Sequence, residues 1–452
     1  MMLTPEVIAR HASRSTPRYT SYPTAPHFHD GVDHETYLDW LAALPADASL
    51  SLYLHVPFCD TLCWFCGCHT KITRQYAPVA AYLDALVKEI EFIGNAAPET
   101  AHVRHIHWGG GSPTILVSDD IRRLSGAIRS VFSVAADAEF AVEVDPRGMD
   151  DAGIDALAES GLTRVSIGVQ DFDPNVQAAI NRVQSFEETR RVVDAFRARG
   201  VASLNIDAMY GLPGQREAQL AATLDDVLRL EPDRIALFGY AHVPWMKRHQ
   251  SMIHEADLPQ AVERYDQSAF AAQRLLNAGY AQIGIDHFAL KHDSLATAAR
   301  DNRLRRNFQG YTIDSADALL GLGASAIGRL PQGYVQNEAA IAKYERMIQA
   351  EGCAVTRGLA LSEEDRVRAL VIERLMCDLT FSARELSGAP SAIVSAVIAQ
   401  AQDALANDRE GFLTPTPDGF MVTPEGRPFV RNIAAQFDSY LTTARGRHSQ
   451  TV

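Results

Sequence analysis

Apolar residues along the chain fall into short, nearly continuous runs separated by longer stretches with a helical period. The runs lie at residues 51–56, 103–108, 139–144, 164–169, 204–209 and 234–238, and their content of Val, Ile and Leu predicts strands buried on both faces. Residues 80–93, 119–132, 151–160, 187–199 and 217–230 read as amphipathic helices between them. In the second of these, Ile121, Leu124, Ile128 and Val131 recur at helical spacing and are predicted core. Gly161 and Gly200 stand where a helix closes on a left-handed residue. Parallel strands require right-handed helical crossovers, so six successive strand–helix repeats predict an α/β fold, a partial (βα)6 barrel with its helices outside.

The flanks have a different grammar. Residues 1–48 form an N-terminal arm, 49–349 the barrel with its extension, and 350–452 a mainly helical C-terminal domain. In that last part, helical periods at 362–378 and 391–406 precede a hairpin-like stretch at 411–422 and a final helix at 429–441. The order is winged-helix-like, a form that often reads DNA. Glu363, Glu364, Asp365 and Asp378 offset its arginines, so a lid packed on the barrel mouth is expected instead.

Composition narrows the classes. A chain of 452 residues is too long for one ordinary core and suits a barrel-sized domain with additions. With 47% apolar and 22% charged residues it reads as a soluble globular protein. A net charge of −14 argues against generic binding to nucleic acid or anionic membranes, so an anionic substrate requires a local basic pocket. No segment approaches the ~20 apolar residues of a membrane span. The first residues carry no secretory apolar region, and clustered thiols then imply a reducing, cytoplasmic compartment.

Candidate chemistry gathers at the strand ends. Four of the six cysteines fall in Cys59-Asp-Thr-Leu-Cys63-Trp-Phe-Cys66-Gly-Cys68, just after the first strand. Clustered thiolates select zinc, copper(I) or iron–sulfur, and structural zinc or buried free thiols stay open at this point. The second strand runs into Trp108-Gly-Gly-Gly-Ser-Pro-Thr114, the third into Glu143-Val-Asp-Pro146, and the fourth into Gln170-Asp171. Asp207 closes the fifth before Tyr210-Gly-Leu-Pro-Gly214, and Tyr240-Ala-His-Val-Pro244 follows the sixth. In parallel barrels the C-terminal strand ends carry the chemistry, which makes these loops the candidate site. Other features read as structural. Gly321-Leu-Gly-Ala-Ser-Ala-Ile-Gly328 has neither dinucleotide nor P-loop spacing, His105 and His107 lack a third zinc ligand, and Cys353 and Cys377 read as buried.

The C-x3-C-x2-C loop resembles that of the radical S-adenosylmethionine (SAM) superfamily. Further matches narrow the resemblance: Tyr19-Thr-Ser-Tyr-Pro-Thr24, Gly67-Cys68, His107-Trp-Gly-Gly-Gly111, Glu143-Val-Asp-Pro-Arg147, Gly168-Val-Gln-Asp-Phe172, Asn205-Ile-Asp-Ala-Met-Tyr-Gly-Leu-Pro213, Asp286-His-Phe288 and Asn307-Phe-Gln-Gly-Tyr311. With them nearly the whole chain is similar to bacterial oxygen-independent coproporphyrinogen III oxidase. Ser112 departs from the Thr common there but keeps the hydroxyl.

The resemblance implies a radical-SAM barrel. It further implies anaerobic oxidative decarboxylation of two propionates of coproporphyrinogen III to vinyls, giving protoporphyrinogen IX in haem synthesis through a SAM-derived 5′-deoxyadenosyl radical. It makes Cys59, Cys63 and Cys66 the ligands of a [4Fe–4S] cluster and leaves Cys68 unligated nearby. Tyr53, Gly110 and Glu143 fall at the cluster-bound SAM. A second SAM falls against Phe65, Gly111, Ser112, Gln170, Arg182, Asp207, Ala241 and Ile327, with Gln309 beside it. Tyr53, Glu143 and Gln309 are the expected catalytic residues. An electron donor such as flavodoxin or ferredoxin and a monomeric state are implied as well. The alternative is a haem-carrying chaperone of a related branch, which usually lacks the Tyr-Thr-Ser-Tyr-Pro-Thr arm and the Gly-Cys pair present here. A substrate with four carboxylates calls for arginines, and Arg18, Arg303, Arg305 and Arg306, with the patch Lys247-Arg-His249, are the candidates.

Overall fold

All six expected strands form in the computed structural model, which describes residues 3–441 and 449–452. They are β1 (Ser49–Val56), β2 (His102–Gly110), β3 (Ser133–Val144), β4 (Arg164–Gln170), β5 (Ser203–Tyr210) and β6 (Arg234–Gly239). Five helices alternate with them: α1 (Ala77–Ala96), α2 (Ser118–Val131), α3 (Asp151–Glu159), α4 (Phe186–Ala198) and α5 (Glu217–Arg229). Local chemistry sets several of their ends. Asp150 caps α3 by accepting from the Gly153 amide, and Ser185 caps α4 by accepting from that of Glu188. Gly161 (φ 89°) and Gly200 (φ 81°) end α3 and α4 in the left-handed region, as their positions predicted. Ile121, Leu124 and Ile128 of α2 are buried against the sheet, each contributing roughly 1.5–3 kcal/mol.

The sheet extends beyond the six repeats. The chain adds β7 (Tyr280–Ile283), β8 (His287–Leu290), β9 (Ala318–Leu322), β10 (Ile327–Leu330), β11 (Gly333–Asn337) and β12 (Val355–Ala360). The order is β12-β11-β10-β9-β1-β2-β3-β4-β5-β6-β8-β7. Strands β9, β1 and β2 through β6 run parallel. Antiparallel strands complete both edges. Beyond residue 350 the chain therefore contributes one more strand to this sheet before its helices α6 (Glu363–Asp378) and α7 (Ser391–Ala406). A three-stranded sheet of Thr380–Ser382, Leu413–Thr416 and Gly419–Val422 accompanies them. The final helix expected at 429–441 is instead a short α-helical turn, Val430–Ala434, between two 3₁₀ turns. Pro428 and a 3₁₀ turn precede it, and past Phe437 the chain leaves the helical track at Asp438 (ψ 103°).

The N-terminal arm is threaded into the same assembly. Tyr19 donates to Asp438 at 3.0 Å, Tyr22 OH lies 3.0 Å from Ser439 Oγ, and Arg431 donates to the carbonyls of Thr16 and Pro17. His29 bridges to Gly358 in β12. No helix among the described residues is long and apolar enough to cross a membrane.

One buried carboxyl ties α1 to the β9–β11 edge. Glu89 accepts from the Gly323 amide, Tyr344 OH and Asn337 Nδ2, each at 2.6 Å. Burial pushes its pKa up to about 7, partly offset by those donors. The folded state thus binds a proton that the unfolded chain releases near pH 4.5. The associated stability is full below that value and is lost as pH rises through about 7. Glu89→Gln cannot ionise, so its melting temperature relative to the parent should rise between pH 5 and pH 8 in paired thermal unfolding. A pH-independent difference would show that Glu89 does not titrate in this window.

Candidate active site

The loop after β1 is pinned from several distant elements. The Trp64 amide donates to Ile180 O at 2.9 Å and Asn181 Nδ2 to Leu62 O at 2.7 Å. Gln250 donates to Phe65 O, Lys247 to Cys68 O, and His249 Nε2 lies 2.7 Å from Cys66 O. These bonds hold the cysteine loop over the C-terminal ends of β3 and β4. They also show that Lys247 and His249 secure backbone.

Donors then converge on the sulfurs. Arg147 Nη2 and Arg182 Nη1 each stand 3.6 Å from Cys63 Sγ, Thr70 donates to Cys59 Sγ at 3.3 Å, and the Cys68 amide to Cys66 Sγ at 3.4 Å. The hydrogen bonds from Cys68 bring the Cys66 pKa down to about 7, whereas burial raises Cys59 to about 11. All four cysteines are free thiols and line one cavity of about 170 Å³. No three His, Cys, Asp or Glu side chains among the described residues converge as donors to a single ion. Thiols around one cavity, with donors aimed at the sulfurs of Cys59, Cys63 and Cys66, fit a multi-iron cluster better than one zinc.

Asp145 organises this cationic side. It accepts from Arg147 Nη2 at 2.6 Å and from Arg182 Nη1 at 3.1 Å. Burial opposes its charge, but both guanidiniums hold its carboxyl below the usual range. Arg182 also donates to Gly168 O at 2.6 Å.

Glu143, at the end of β3, takes the His107 Nε2 contact at 3.2 Å and the Gly110 amide at 3.2 Å. Burial alone would raise its pKa, yet the His107 and Gly110 contacts win and keep it below the ordinary value. The glycine run makes this approach possible. A Cβ at Gly109 would meet the Glu143 carboxyl at 2.8 Å, and one at Gly110, whose φ is 115°, would meet the His55 ring at 2.7 Å. Beside them Tyr53 OH lies 3.0 Å from His55 Nδ1, and His55 Nε2 lies 2.9 Å from His69 O. Burial lowers the His55 pKa, favouring a neutral ring. Asp207, half-buried and facing Glu143, is pushed up to about 6 by desolvation while accepting from Asn205 and Ser166.

Residues 53–227 match the radical SAM superfamily. The oxygen-independent coproporphyrinogen III oxidase of Bradyrhizobium diazoefficiens is 47% identical over 96% of this chain and 97% of its own length. That of Salmonella typhimurium is 42% identical over 94% and 93%. The solved structure of coproporphyrinogen III oxidase (HemN) from Escherichia coli, a radical SAM enzyme, superposes with a TM-score of 0.89 at 39% identity, covering 94% of this chain and 97% of that one. The chain belongs to the oxygen-independent coproporphyrinogen III oxidase family. With it come the radical SAM fold, a [4Fe–4S] cluster and SAM as cofactors.

Within this oxidase family frame, the expected site residues divide among three cavities. Cys59, Cys63, Cys66, Phe65, Gly110, Gly111, Glu143, Gln170, Arg182 and Asp207 line the cysteine cavity. Tyr53, Gln309 and Ile327 line an adjoining cavity of about 180 Å³, which shares Glu143 with the first. Ala241 lines a third, small cavity with Arg18 and Arg306. Ser112 lines none of the three; its amide donates to Phe58 O and its hydroxyl lies 2.8 Å from Thr114 Oγ1. Arg305 is paired with Glu373, and exposed Arg303 with Asp301. His55, Thr70, Asp145 and Arg147 had not been singled out. His55 could have been, since it lies two residues from Tyr53 on the same strand. Arg147 lies in a quoted motif but meets Cys63 across 84 positions of sequence.

Proposed function

We propose that this protein converts two propionates of coproporphyrinogen III to vinyl groups without oxygen, giving protoporphyrinogen IX. The observation that carries the reading is a cysteine-loop cavity joined through Glu143 to one lined by Tyr53 and Gln309. Its full-length relatives bear the name of that activity. Cys59, Cys63 and Cys66 would hold the [4Fe–4S] cluster, and SAM would lie beside Glu143. When bound, these groups supply low-potential electrons and hydrogen-abstracting radical chemistry.

The chain itself binds, orients and excludes water. Glu143, kept ionised by its His107 and Gly110 contacts, offers a carboxylate to the amino group of SAM. Tyr53, steadied by neutral His55, forms one wall of the adjoining cavity, and Phe308, Leu319 and Ile327 form an apolar one. Such walls keep water from the reacting propionate. Arg147 and Arg182, clamped by Asp145, compensate negative charge on Cys63. Phe65, Gly111, Ser112, Gln170, Arg182, Asp207, Ala241 and Ile327 are the proposed surroundings of a second SAM. Support for this is strongest for Phe65, Gly111, Gln170, Arg182 and Asp207, which share one cavity. We further propose a monomer of three parts, divided near residues 48 and 349, acting in the cytoplasm with a flavodoxin- or ferredoxin-like electron donor.

Anaerobically reconstituted protein with reductant, SAM and coproporphyrinogen III should yield protoporphyrinogen IX through an intermediate with one vinyl and three propionates. Chromatography of the oxidised porphyrins resolves the three. Tight haem retention without vinyl product, from protein verified to carry a reducible cluster, would refute the reading in favour of a haem carrier.

A further inference from the structure

A small cavity beyond β6 holds an imbalance of charge. Arg18, Arg264, Arg306 and Arg431 line it, and the one side-chain carboxylate among its described lining residues is Asp286. Burial opposes the Asp286 charge, yet His287 at 2.7 Å, Arg306 and Arg18 bring its pKa down to about 2, so it is a carboxylate throughout the working range. Four guanidiniums thus face one anionic side chain and the main-chain oxygen of Val452, which takes Arg264. Arg264 and Arg431 are buried, where an unpaired charge is costly, Arg306 is half-buried and Arg18 exposed.

Two of the four arginines are committed to the protein's own backbone. Arg431 donates to the carbonyls of Thr16, Pro17, Gln450 and Thr451, and Arg264 to Val452 O. The other two have donors to spare. Arg306 places Nη2 3.4 Å from Arg18 O and lies 4.4 Å over the Tyr311 ring, and its buried Nε and Nη1 have no hydrogen-bond partner among the described residues. Arg18 reaches Gly239 O with Nη2 at 3.2 Å. Arg18 is exposed and lines the same cavity.

Arg306 also lines a larger cavity of about 330 Å³ between the arm, the Arg305–Asn307 strand and α6. Phe308 and Leu319 line both that cavity and the one lined by Tyr53 and Gln309. Arg306 thus borders the Arg18 cavity on one side and, on the other, a cavity separated from the Tyr53 and Gln309 walls by Phe308 and Leu319. Coproporphyrinogen III carries four propionates. The two that survive in the product sit on neighbouring pyrroles along one edge of the macrocycle, and the two that react lie on the opposite half.

We propose that Arg18 and Arg306 hold the two retained propionates and so direct the reacting half of the macrocycle toward the cysteine loop. This rests on the substrate assignment above. Paired guanidiniums match paired carboxylates in charge and in planar, bidentate geometry. Neither retained carboxylate is consumed, so both anchors survive the first turnover.

Porphyrin binding, followed by fluorescence quenching without turnover, tests the pair directly. Wild-type protein should bind coproporphyrin III, with four carboxylates, and protoporphyrin IX, which keeps only the retained two. Arg18→Gln and Arg306→Gln should each weaken both ligands roughly tenfold or more, and the double variant further. Iron content and substrate-free SAM cleavage should stay at wild-type level. In turnover, KM should rise more than kcat falls, and more of the one-vinyl intermediate should escape. Arg306→Lys keeps the charge without the planar fork and should show a smaller loss on both ligands, which preserves the test if Arg306→Gln folds poorly. Wild-type affinity for protoporphyrin IX in the double variant would overturn the proposal. So would a loss confined to coproporphyrin III, which would assign the arginines to the reacting propionates. A wild-type protein that neither binds nor converts coproporphyrinogen would instead refute the substrate reading itself.

Discussion

Replacing Cys59, Cys63 or Cys66 by Ala should leave anaerobically reconstituted protein with iron and labile sulfide near background. Three thiolates are the smallest set that holds three irons of a four-iron cluster, and each lines the same cavity. Loss of Cys63 carries a second penalty. Arg147 and Arg182 each stand 3.6 Å from its sulfur, and without it they keep Asp145, with Gly168 O for Arg182. Because two donors lose a partner at once, Cys63→Ala should also show the lowest melting temperature of the three. Cys68→Ala should keep iron and sulfide in wild-type proportion, because its backbone amide, which donates to Cys66 Sγ, is unchanged. Iron loss in that variant would make Cys68 a ligand and reverse the assignment.

Glu143→Ala should separate cofactor assembly from SAM binding. The carboxylate makes no bond to a cysteine, so iron content should be unaffected. SAM affinity should fall roughly tenfold to a hundredfold, the equivalent of about 1.5–3 kcal/mol for a charge-assisted hydrogen bond. Gly109→Ala offers an independent route to the same defect. Its Cβ would arrive 2.8 Å from the Glu143 carboxyl, which must move while remaining charged. Equilibrium dialysis with radiolabelled SAM on both variants checks this. Wild-type affinity in Glu143→Ala, at full iron loading, would remove Glu143 from the SAM site.

The repeating barrel was legible because its signal is local. Strands buried on both faces read as unbroken apolar runs, and the helices between them carry caps and closing glycines that act within four residues. The edges β7–β12 were not legible. They are short and mixed in composition, all but β9 pair antiparallel, and Gly321-Leu-Gly-Ala-Ser-Ala-Ile-Gly328 is in fact the end of β9, a turn with Gly323 at φ 97° and Ser325 at φ 66°, and the start of β10. For the site, strand ends told where chemistry would lie. They did not tell which side chains would meet. Arg182 reaches Cys63 over 119 positions and Lys247 reaches Cys68 over 179, contacts set by how the sheet curves and how loops fold across its mouth. Charge pattern also misdirected: Lys247-Arg-His249 looked like a substrate patch, and two of its members bind loop carbonyls.

The arm that carries Arg18 is made before the barrel, whereas Arg431, Asp438 and Ser439, which hold that arm, are made after it. At 5–20 residues per second the interval between Arg18 and Arg431 lasts roughly 20–80 s. The cysteine loop and β1 through β6 are complete long before it ends, since they close by residue 239. A nascent chain can therefore have its thiol cavity in place while no substrate pocket exists. Cluster insertion is free to precede the arm's docking, and the tetrapyrrole is admitted only to a finished molecule.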